Sequence, residues 1–438
     1  RGVNEGKINV EGVKSVGFAL IKGGASSNSG TINVKADSTN SVGFYGEQDE
    51  FANSGTIEVT AAKDTGNTAV ALNGKTNKIT FNNTGKIYVN ANQNSNTNLI
   101  GNTNTGIYAE GKYEFNHSGT NASIIVGKNA TGFYVKSATG KVNINAPITL
   151  EESGTGADAG TTIGFYSDGD AEVNFGTNSL LTIGKGAVGL YSSDSEKFNN
   201  TFRIKTGEKL DVSLGENSTF GFLSGNSISP SLKKYLNNGS TDKINITNFG
   251  AGATIFFAAN NGKALLDGDY TITNGGNAST SVLSANNGST VGIDSGVKLV
   301  TNTQVGLVAT KGENTTDTAS TAENAGTLES TRTSGVGIYA NASNGKNEAT
   351  GKIIMKATSS VGILGLANSE LTNASGGKIT VEKGSSAGIY AENSEALNDA
   401  DGIITVSKGS SDGIFGKVDA NAVKDYKLTN NGNVNLTG

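Results

Sequence analysis

The side chains able to do chemistry are few and scattered. His117 is the sole histidine, cysteine is absent, and arginine occurs only at Arg1, Arg203 and Arg332. A lone imidazole without a nucleophile or a second ligand offers no catalytic or metal-binding mechanism. Its setting, Phe115-Asn116-His117-Ser118-Gly119, aligns with Phe81-Asn82-Asn83-Thr84-Gly85, so the histidine reads as a substitute for a recurring turn asparagine. Acidic pairs stand at Glu151 and Glu152, Asp168 and Asp170, and Asp399 and Asp401. A polysaccharide-cleaving site needs such carboxylates to converge from neighbouring elements with Arg or Lys beside them. No arginine falls in phase with these acids, which read as solvated turn residues. The calcium-binding series G-G-x-G-x-D is missing. Gly74-Lys75-Thr76 resembles the close of a phosphate loop, but Ala69 stands where its first glycine is required. The expectation is a protein that is not an enzyme and holds no metal or cofactor.

What does recur is structural. A β-type residue, Gly, a large apolar residue and usually Tyr appear as Val42-Gly43-Phe44-Tyr45, Thr105-Gly106-Ile107-Tyr108, Thr131-Gly132-Phe133-Tyr134 and Ile163-Gly164-Phe165-Tyr166. Further copies are Val188-Gly189-Leu190-Tyr191, Phe220-Gly221-Phe222, Val336-Gly337-Ile338-Tyr339 and Ala387-Gly388-Ile389-Tyr390, with degenerate ones at Ala69 to Leu72, Ile255 to Ala258 and Ser281 to Ser284. Successive glycines mostly lie 25 or 26 residues apart, as at 17 and 43, 106 and 132, or 362 and 388. Half a period away comes Asn53-Ser54-Gly55-Thr56-Ile57-Glu58-Val59 and its likes, where Ile and Val alternate with polar residues as in a half-buried strand. Segments such as Glu50-Phe51-Ala52 supply a third short strand.

Three strands and three turns per period predict an all-β chain, a right-handed parallel β-helix or β-solenoid of about 15 coils of roughly 25 residues. Ordering one coil costs roughly 25 to 50 kcal/mol of backbone entropy, and its few buried side chains return only part of that. Coils must therefore stack to fold. Composition agrees: 62 glycines, 35% hydrophobic residues and 17% charged residues fit many turns and thin cores rather than several globular domains. A net charge of −5 argues against a nucleic-acid partner. No apolar run approaches the ~20 residues of a membrane-spanning helix, and no signal peptide opens the chain. Residues 1–438 are expected to form one β-helical segment of a longer protein, because the repeat is cut at both ends.

With these motifs, N-x-G-x-I-x-V followed by S-x-G-I-Y-A, the chain resembles the passenger regions of large autotransporter adhesins and is most similar to the giant fusobacterial members. The resemblance covers essentially the whole chain and rests on repeat style. It implies display on the bacterial cell surface, anchoring to the outer membrane through a C-terminal β-barrel absent from this segment, and a monomeric rod. It also implies adhesion to host cells or other bacteria, through a glycan or protein receptor. A stalk carrying a binding tip elsewhere is the alternative, and a polysaccharide-degrading β-helix enzyme a second one.

Two places are candidate contacts. Tyr45, Tyr108, Tyr134, Tyr166, Tyr191, Tyr339 and Tyr390 share one register and should form a ladder. Outside, it would offer rings to sugars; inside or at a corner, where Leu223, Leu364 and Phe415 replace tyrosine, it would be structural. Insertions near 90–105, 151–162, 192–209, 224–243 and 311–333 are the other place. In one of them, Ser229 as N-cap, Pro230 at the first helical position and a closing Gly239 predict a short helix near 230–238. Leu232, Lys233, Lys234, Tyr235 and Leu236 on it are either a protruding contact or a cover for a flank of the solenoid.

Overall fold

A computed structural model describes residues 1–437 other than 23, 61–65, 91–103, 137–138, 155–159, 226–227, 237–242 and 420–424; at 195 and 196 only the backbone is described. The chain is a parallel β-solenoid of about 15 turns. It divides into two compact units, residues 1–221 with 241–248, and residues 222–240 with 249–438.

In unit 1 each coil contributes a strand to three successive ladders. The coil at Val42–Gly46, Asp49–Asn53 and Thr56–Val59 is typical. All its pairings are parallel: Phe44 lies opposite Phe18, Phe51 opposite Ser26 and Ile57 opposite Ile32. The alternation read from the sequence fixes the inward side. Ile57 and Val59, Ile87 and Val89, and Ile124 and Val126 are all buried, while the residues between them remain partly exposed. Two strands are longer than expected, Thr68–Asn83 and Thr105–Ser118, which run from the first ladder into the second without a turn. Phenylalanines fill the interior. Phe44 and Phe51 have ring centroids 4.0 Å apart, and Phe81 stacks on Phe115 at 5.4 Å.

Unit 2 repeats the plan. Val361–Leu366, Glu370–Asn373 and Lys378–Val381 form one coil, paired in parallel with Val336–Asn341, Asn344–Asn347 and Lys352–Met355.

The recurring motif glycine is not a turn residue. A Cβ on Gly132 would stand 2.6 Å from the carbonyl oxygen of Gly164 on the next coil and 2.8 Å from Val126 Cγ2. Gly106, Gly164, Gly337, Gly362 and Gly388 meet the same pair of obstacles, so the residue is dictated by close approach of stacked backbones.

The turn asparagines point inward and form ladders. In unit 1 the Nδ2 of Asn4 donates to Asn28 Oδ1 at 2.6 Å, Asn28 to Asn53 at 2.7 Å and Asn53 to Asn83 at 2.7 Å. Unit 2 has Asn324, Asn347, Asn373, Asn398 and Asn430 linked in the same sense at 2.7 to 2.8 Å. Each inner rung also donates to a carbonyl of its own coil, as Asn373 does to Gly377. Both amide hydrogens are thereby satisfied in a buried place where an orphan would cost about 1 to 3 kcal/mol.

Among the described residues two helices break the pattern where one was expected. α1 (Ser195–Thr201) lies within the 192–209 insertion, and α2 (Lys233–Leu236) is the foreseen one, shorter than 230–238. The excess near 311–333 is confined to 311–320, since Thr321–Asn324 and Thr327–Ser330 are ordinary strands. Most of the 90–105 insertion, and parts of those at 151–162 and 224–243, lie outside the described residues.

Candidate binding surfaces

The tyrosines stand on the outer face, half-buried, in strict register. Tyr108 is opposite Tyr134, Tyr134 opposite Tyr166 and Tyr166 opposite Tyr191. Their rings stack with centroids 5.6, 4.9 and 5.0 Å apart and planes within 19° of one another. In unit 2 Leu364 separates Tyr339 from Tyr390, and Tyr390 stacks on Phe415 at 5.0 Å. Inside the stacked run each ring face is taken by the next ring, so only edges and hydroxyls meet solvent. Stacking a sugar onto ring faces, as the outward alternative supposed, is closed off there.

Carboxylates accompany the row. Tyr45 donates to Glu47 at 2.7 Å, Tyr108 to Glu110 at 2.7 Å, Tyr134 to Asp168 at 3.1 Å and Tyr390 to Glu392 at 3.3 Å. Partial burial, then the hydrogen-bonded carboxylate, pushes Tyr108 and Tyr134 up to about 12. The recurrence Tyr-x-Glu at 45, 108 and 390 is the local sequence signal for this second row.

One residue of the expected row is displaced. Leu223 is fully buried, whereas Phe222 is half-exposed and stacks on Phe257 at 5.1 Å. Aligning the copies on glycine misplaces this one: strand alternation puts Phe220, buried, where other copies carry glycine.

The α2 contact contracts. Leu232, Tyr235 and Leu236 are buried, and Tyr235 packs near Phe256 with centroids 5.9 Å apart, so these three cover a flank of unit 2. Only Lys233 and Lys234 face solvent. Ser229 does not cap the helix. Asp267 does so, accepting the backbone N–H of Lys233 at 2.7 Å and the hydroxyl of Ser231 at 2.6 Å, while Ser229 Oγ accepts the N–H of Leu265.

His117 is opposite Asn83 in register, as the alignment implied, and it is fully buried. Arg203 departs from expectation. Its strand lies beside Glu172–Phe175, and its guanidinium pairs with Glu172 at 3.0 Å. Asp170, Glu172, Lys141, Asn200 and Arg203 line a cleft of about 350 Å³. The α1 insertion hid this phase in the sequence. Glu172 is also 3.5 Å from Lys141, so its charge is balanced from both sides. Asp168 is occupied by Tyr134, and Asp399 and Asp401 sit at a turn closed by Gly402 N–H to Asp399 O. No family model matches the chain, and neither does any curated protein or solved structure.

Proposed function

We propose that this chain is a binding segment of a bacterial surface adhesin, an autotransporter-type passenger that attaches to a glycan or protein receptor on host cells or on other bacteria. What supports the reading is the outer row of tyrosine hydroxyls, several of them joined to carboxylates, which returns at one register position on the successive coils from Tyr108 to Tyr191. Like groups on consecutive coils suit attachment by several weak contacts, whose combined strength greatly exceeds any one of them. On this reading the Asn and Phe ladders supply stiffness and the outer row supplies recognition.

The test is attachment by the purified chain alone. Beads coated with it should adhere to host epithelial cells or partner bacteria, and replacing Tyr134, Tyr166 and Tyr191 with Ala should weaken adhesion. Coated beads that adhere no better than bare ones would favour the stalk alternative. Cleavage of polysaccharides by the same preparation would favour the enzymatic one.

A further inference from the structure

The tyrosine row of unit 1 has one missing rung. Ala71 lies opposite Tyr45 on one side and Tyr108 on the other. Elsewhere in this unit successive rings stack at 4.9 to 5.6 Å, yet among the described ring pairs none joins Tyr45 to Tyr108. Two coil steps of about 4.8 Å separate the two ring planes by roughly 9 to 10 Å. A flat group between them needs about 3.5 Å to each face, or about 7 Å in all. Ala71, at 8% exposure, is the floor of this narrow gap.

The rim is acidic. Glu47 and Glu110 hold the hydroxyls of the two bracketing tyrosines, and Asn73 reaches across from the empty rung to Tyr45 at 3.5 Å. Neither glutamate pairs with a cation among the described residues; the nearest lysine of the row, Lys136, stands one rung beyond Glu110. Two aromatic faces and two carboxylates together favour a positive charge. The shape narrows the choice: a lysine ammonium is compact and strongly hydrated, whereas a guanidinium is planar, stacks on aromatic faces and offers several N–H donors in its plane.

We propose that the gap over Ala71 is a slot for an arginine side chain of a partner protein, its guanidinium sandwiched between Tyr45 and Tyr108 and hydrogen-bonded to Glu47 and Glu110. This deepens the adhesive reading by naming the partner's chemistry. The two fail separately, because the slot is tested on the purified chain with peptides and adhesion is tested on cells.

The experiment is fluorescence anisotropy with a labelled arginine-bearing peptide, and with versions in which citrulline or lysine replaces arginine. The arginine peptide should bind about tenfold more tightly than either. Ala71→Tyr, which completes the row, should weaken it by about tenfold, as should the double change Glu47→Gln with Glu110→Gln; Gly409→Ala, whose added methyl meets nothing within 4 Å, should leave it unaltered. Thermal melts followed by circular dichroism establish that each variant folds, and the glutamine pair decides the matter if Ala71→Tyr does not. Equal binding of the citrulline peptide, or undiminished binding by folded Ala71→Tyr or by the glutamine pair, would overturn the proposal.

Discussion

Asn83 and His117 meet inside unit 1 on coils paired in register, the amide Nδ2 lying 2.9 Å from the imidazole Nδ1. The other ring nitrogen, Nε2, is 3.2 Å from the carbonyl oxygen of Pro147. A carbonyl only accepts, so Nε2 carries the proton and Nδ1 receives the amide hydrogen. The histidine thus ends an asparagine ladder as a neutral ring.

That neutrality makes the fold acid-sensitive. Burial lowers the His117 pKa from 6.5 to about 4, so the unfolded chain takes up its proton at higher pH than the folded one. The associated stability is complete above pH 6.5 and is lost as pH falls toward 4, on the order of 3 kcal/mol in total. His117→Asn supplies an equivalent rung without a titrating group. Its denaturant midpoint should change little between pH 7 and pH 4.5, whereas the unaltered chain loses stability over that range; parallel curves for both would refute the assignment.

The motif glycines should be intolerant of one methyl group. Gly132→Ala drives a Cβ to 2.6 Å from the Gly164 carbonyl, while the same change at Gly409 meets nothing within 4 Å. Urea unfolding should place the first about 3 kcal/mol below the unaltered chain and the second within about 0.5 kcal/mol of it.

Breaking an inner rung of the unit 2 ladder should cost more than its one side chain. Asn373→Ala takes partners from Asn347 Nδ2, Asn398 Oδ1 and the Gly377 carbonyl. A loss of about 2 to 4 kcal/mol is expected. A change below about 0.5 kcal/mol by calorimetry would mean that the ladder adds nothing.

At α2 the buried and exposed residues should separate cleanly. Leu236→Ala empties a fully buried position and should destabilise by about 2 to 5 kcal/mol. Lys233→Glu and Lys234→Glu change only solvent-facing side chains, so their melting temperatures should stay near that of the unaltered chain.

The winding of the chain was legible because its signals are local and repeated. Ile57 and Val59 alternate with polar neighbours, and the same pair returns one period later as Ile87 and Val89. What sequence could not rank was which of several uses a residue type serves. The motif glycines were visible as a recurrence, yet Gly132 is required by a backbone on the next coil, a contact that no local pattern encodes. The turn asparagines carried the right type but gave no sign that Asn53 and Asn83 touch. For α1 the signal was present and unread: Asp194 accepts the backbone N–H of Lys197 at 3.3 Å and Phe198 is buried, so Asp-Ser-Glu-Lys-Phe was a capped helical start inside what looked like a polar loop. At α2, Leu232, Tyr235 and Leu236 had helical spacing, but only the packed structure says that their apolar side is already covered.

The one-way donation along each asparagine ladder gives the chain a modular grammar. Every inner rung hands an N–H to its successor and takes one from its predecessor, so a coil that carries an inner rung can be excised and the two exposed ends rejoined without leaving a donor facing a donor. Removing the stretch from Gly362 to Ala387 would bring Asn347 to Asn398 in the same polarity. A deletion of half that length would swap an inward column for an outward one and break the hydrogen-bond sequence, so the stacked strands change number only by whole coils, while the turns between them accept insertions such as that at 311–320.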